Sequence, residues 1–81
     1  MKTVSVTGKP RAGDQVLMEP AIGVHGFRVP WWGMVIESRP AMSERHIYLR
    51  VIPVDELESG RVRTWYVALR GMRVRREVPR A

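Results

Sequence analysis

Arg45-His46-Ile47-Tyr48-Leu49-Arg50-Val51-Ile52 is the stretch that decides the class of this fold. Ile47, Leu49 and Val51 alternate with His46, Tyr48 and Arg50, the period of a strand that buries one face and shows the other. Pro53 follows and can donate no ladder hydrogen bond, so the strand ends at an edge or a bulge. Outward from this run, short β-prone segments recur between Gly and Pro, with no heptad, helical stripe or internal repeat. A strand is predicted over residues 31–38, closed by Ser38-Arg39-Pro40. Another is predicted over residues 14–19, with Gly13-Asp14 as its turn, Val16 and Met18 on one face and Pro20 as its end. Between them residues 20–30 form a long loop carrying Ile22, Val24, Phe27 and Val29, and loops of that length are functional or packed on themselves.

Downstream, residues 55–60 read as an acidic hairpin loop in which Gly60 takes the positive φ of a bulged turn. Residues 61–67 form a fourth strand and Ala68-Leu69-Arg70-Gly71 one 3₁₀ turn. A fifth strand covers residues 72–77, with Met72 and Val74 inward and Arg73 and Arg75 outward. Residues 1–12 are a flexible arm or a short extra strand, and residues 78–81 a tail.

At 81 residues the chain holds one small domain with a thin core, of the size that often leans on a partner or an oligomer. Without Cys it has neither a disulfide framework nor a Cys-ligated zinc. No apolar run approaches the roughly 20 residues that span a membrane, and the start has no long apolar stretch, so the expected location is cytoplasmic.

The net charge of +6 is unevenly placed. Residues 1–60 carry seven basic and seven acidic side chains, whereas residues 61–81 carry seven Arg against Glu77 alone. A localised positive field attracts polyanions or an acidic protein face. Only Lys2 and Lys9 are Lys; the Arg preference suits bidentate contacts to phosphate or carboxylate, and equally follows from a G+C-rich genome.

Five short strands, a long first loop and one turn before the last strand resemble an SH3-like small β-barrel over residues 13–77. Gly13-Asp14-Gln15-Val16 with Gly33-Met34-Val35-Ile36 is similar to a KOW-type pattern. Residues 65–74, Trp-Tyr-Val-Ala-Leu-Arg-Gly-Met-Arg-Val, look like the strand, turn and strand that close such barrels. The resemblance implies an all-β, single five-stranded barrel. It implies no one function, since members bind RNA, DNA, chromatin or phage assembly partners.

Two sets of binding residues stand out. Arg61, Arg63, Arg73, Arg75 and Arg76 form a C-terminal cluster; alternation in neighbouring strands places Arg61, Arg63, Arg73 and Arg75 on one outer surface, where phosphate offsets their repulsion. Trp65 and Tyr66 face opposite ways, so one stacks on a base beside the Arg, together with Tyr48, and the other is core. The second set is Phe27, Trp31 and Trp32, an aromatic loop suited to docking a protein. The sequence thus predicts a non-catalytic module that binds nucleic acid, DNA or RNA. The alternative is a protein-interaction or assembly module, encoded by a phage or a G+C-rich bacterium, that grips an acidic protein surface. A homo-oligomer through edge strands fits either, with Ile52 or Val78 on the edge. His25 and His46 lack ligand spacing, no nucleophile motif accompanies the four Ser, and no phosphate-binding loop is present; no enzyme, metal or cofactor is expected.

Overall fold

The computed structural model describes residues 2–79. It is all-β. Strands β1 (Thr3–Val6), β2 (Gln15–Met18), β3 (Trp31–Pro40), β4 (His46–Pro53), β5 (Arg63–Ala68) and β6 (Val74–Glu77) form one antiparallel sheet in the order β1-β6-β2-β3-β4-β5. The expected five-stranded barrel is corrected on two points. The sheet has six strands, because the N-terminal residues pair as β1 along β6, and its two end strands, β1 and β5, do not pair with each other. The third correction concerns the 3₁₀ turn before the last strand. Residues 69–72 make a single hydrogen-bonded turn, Met72 N–H to Leu69 C=O at 3.2 Å, with Gly71 at φ 80°. The 3₁₀ segments lie instead at Pro20–Ile22 and at Val54–Ser59, inside the two expected loops. Gly60 does take positive φ.

The alternation in β4 is as its sequence reads: Ile47, Leu49 and Val51 are buried, and Tyr48 and Arg50 are exposed. Val16, Met18, Val35, Val67 and Val74 complete the sheet's inner face. An open sheet this narrow cannot bury that face alone. The long loop does so by folding back, placing Ile22 and Val24 in the core. Its turn carries its own hydrogen bonds, from Ile22 and Val24 N–H to Glu19 C=O, so the backbone polar groups are met there.

A β-bulge between Val35 and Glu37 gives β3 two roles. Before it, Val35 faces Val51 in the core; after it, Glu37 opposes Arg50 and Arg39 opposes Tyr48 on the outer face. Gly33 lies in β3 with its Cα close against Val51 and Met18. A Cβ there would lie 3.1 Å from Val51 Cβ and 3.3 Å from Met18 Cγ. Gly33→Ala should therefore destabilise the domain by about 1–3 kcal/mol through overpacking, read as a lower urea midpoint.

Ile52 is not an edge residue as expected: it is buried in β4, between β3 and β5 in the sheet order. Val78 donates its N–H to Lys2 C=O at 2.9 Å, so the expected tail begins paired; Arg80 and Ala81 lie outside the described residues.

Candidate functional site

Arg75 and Arg76 are held by the molecule itself. Arg76 forms a bidentate pair with Asp14, Nε to Oδ1 at 2.6 Å and Nη2 to Oδ2 at 2.9 Å. Arg75 Nε donates to Gln15 Oε1 at 2.7 Å, and its guanidinium lies over the Trp32 ring, 3.9 Å from the centroid. Arg73 reaches Glu19 at 3.8 Å. The expected single surface of Arg61, Arg63, Arg73 and Arg75 does not form. Strands β2, β3 and β4 stand between β6 and β5 in the sheet, and the β6 arginines find partners on β2, β3 and the turn ahead of β2.

Trp31 and Trp32 part company for the same reason of alternation. Trp32 turns to the outer face with Arg75, away from Phe27. Trp31 turns to the inner side and meets Phe27 at 5.3 Å between ring centroids. Trp65 also faces inward and completes the triangle, 6.0 Å from Trp31 and 5.9 Å from Phe27. Both indoles pack on the core, while Phe27 remains 48% exposed. The indole N–H groups of Trp31 and Trp65 are buried and meet no acceptor among the described residues.

This aromatic triangle lines a groove of about 510 Å³ between the long loop, the 3₁₀ segment after β4 and the start of β5. Arg28, Arg61 and Arg63 line it as well, with Asp55 and Glu56 on the opposite sign. Among the described residues Arg28, Arg61 and Arg63 take part in no ion pair. The groove therefore combines residues from both sequence-derived sets: Arg61, Arg63 and Trp65 from one, Phe27 and Trp31 from the other. Arg28, Asp55 and Glu56 were not singled out in the sequence. The one signal for Arg28 is its place beside Phe27.

Tyr66 belongs to the other side of β5. It opposes Tyr48 across the β4–β5 ladder, with centroids 5.2 Å apart, and stacks on His46 at 4.7 Å with the planes 7° from parallel. His46 Nδ1 lies 3.0 Å from Ser43 Oγ. Next to Tyr48, Glu37 bridges Arg39 (2.7 Å) and Arg50 (3.4 Å). The hydrogen bond from Arg39 holds the Glu37 carboxyl below its ordinary range.

Among the described residues no three of His, Asp and Glu gather as metal ligands would, and no helix is long and apolar enough to cross a membrane. Comparisons with protein-family models, with curated proteins and with solved structures find no match.

Proposed function

We propose that the chain is a non-catalytic binding module for single-stranded nucleic acid, built as a partly open relative of the SH3-like barrel with one added N-terminal strand. The fold reading is supported by the run β6-β2-β3-β4-β5, by the long loop after β2 and by the tight turn before β6. The observation that carries the function is the groove: an aromatic floor of Phe27, Trp31 and Trp65 with three guanidiniums around it, Arg28, Arg61 and Arg63, that form no ion pair among the described residues. Bases supply flat apolar faces and phosphates supply the charge, which is the pairing that sequence-tolerant single-strand binders use.

A protein partner is the second reading, and Asp55 and Glu56 favour it. A wall of mixed sign suits a peptide with both charges better than a uniform polyanion. A salt titration with labelled oligothymidylate, duplex DNA and RNA separates the two. If three phosphates are neutralised, log K should fall against log salt with a slope of about −2 on a single strand. Duplex should bind more weakly, because its bases are not free to stack. Absence of single-strand binding at low salt would overturn the nucleic-acid reading and leave the protein partner.

A further inference from the structure

Strand β5 ends the sheet: among the described residues no strand pairs along its outer edge, and the 3₁₀ segment Pro20–Ile22 lies near it. In such an edge every second residue turns its N–H and C=O away from the sheet. Its side chains alternate across that edge. Arg63, opposite Val51, and Trp65, opposite Leu49, face the groove; Thr64, opposite Arg50, and Tyr66, opposite Tyr48, face the outer side. A second depression, of about 350 Å³, lies on that outer side and is lined by Arg39, Tyr48, Arg50 and Thr64. Tyr66 is 49% exposed but has one face covered by His46 and does not line this depression; Tyr48, 43% exposed, does line it.

Resting on the nucleic-acid reading of the groove, we propose that the same strand of nucleic acid continues over the β5 edge and seats a further base in the depression against Tyr48. The Tyr48 ring supplies the stacking face and the Thr64 hydroxyl a donor and acceptor for the base edge. Arg39 and Arg50 meet the next phosphate, which competes with Glu37 for them. Both arginines are exposed on the surface, so exchanging one anion for another requires only side-chain motion.

The test measures anisotropy of the whole chain with labelled oligothymidylates of about four and about twelve nucleotides, lengths that bracket a single small domain's site. Tyr48→Ala should weaken the longer strand about tenfold, the loss of one stacked base, and leave the shorter strand unchanged. Tyr48→Phe should restore the longer strand, since stacking needs the ring and not the hydroxyl. Equal binding of both lengths by Tyr48→Ala and the parent, with loss in the Arg61→Glu/Arg63→Glu variant, would overturn the second subsite and leave the groove standing. Loss with Tyr48→Ala but none with Arg61→Glu/Arg63→Glu would overturn the groove reading, and this proposal with it.

Discussion

Arg76→Ala should lower the Tm of the domain by several degrees, because it leaves Asp14 without its bidentate partner. The effect is smaller than for a fully buried pair, since Arg76 keeps 32% of its side-chain exposure while Asp14 keeps 1%. Once Arg76 is gone, a carboxylate remains buried with only the Arg11 N–H at 3.1 Å to meet it. The pair ties the turn ahead of β2 to β6, 62 residues away in the chain, so the loss falls on a closure the small core cannot replace. Adding Asp14→Asn to Arg76→Ala should recover part of it, because the orphaned charge is then absent. A double variant no more stable than Arg76→Ala would show that the pair's worth is not electrostatic.

The same pair sets an acid limit. The hydrogen bond from Arg76, aided by the Arg11 N–H and opposed by burial, holds the Asp14 carboxyl below its ordinary value of 3.8. A carboxyl whose pKa is depressed on folding adds stability that is fully present above its unfolded pKa and is lost as the pH falls through the folded one. The domain should therefore hold its Tm down to about pH 4 and lose it below. Arg76→Ala should flatten that acid slope. Glu37 is also held low, but it lies on the surface and bears little on stability.

What the sequence made legible follows from where neighbouring residues alone decide structure. The inward set Ile47, Leu49 and Val51 needs only the two-residue period of a strand, and the positive φ of Gly60 only local turn chemistry. What was not legible depends on partners far along the chain. For residues 1–12, Val4 and Val6 alone leave an arm and a short extra strand both open, and β1 is a strand because β6 offers it an edge. The turn at Gly71 is too short for its hydrogen-bond pattern to be read from composition. The bulge that sends Glu37 and Arg39 outward leaves no mark in a run as apolar as Met34-Val35-Ile36.

The candidate site divides in the same way. Arg clustering in sequence suggested one basic surface, yet charge in sequence does not say which cations are already paired. Asp14 and Gln15 hold the β6 arginines Arg76 and Arg75, and nothing in their local sequence points 60 residues ahead. Alternation correctly separates Trp65 from Tyr66, and by the same rule it separates Trp31 from Trp32. Trp31 and Trp32 accordingly face opposite sides of β3.

The charge that remains free is what makes Arg61 and Arg63 the decisive test of function. Arg61→Glu/Arg63→Glu removes two cations from the groove and adds two anions next to Asp55 and Glu56. Affinity for a single strand should fall by about a hundredfold or more near physiological salt. The salt slope should shrink by about 1.4, the share of two phosphates on a single strand. Arg73→Glu should change neither by much, because Arg73 already faces Glu19 and lies away from the groove. Both groove arginines are exposed and outside the core cluster, so thermal melts of the double variant should match the parent within about 0.5 kcal/mol. The contrast between the two sites separates a located groove from a diffuse effect of net charge. If reversal at Arg73 weakens binding as strongly as reversal at Arg61 and Arg63, the protein attracts nucleic acid through its overall field, and the aromatic groove is not where the strand sits.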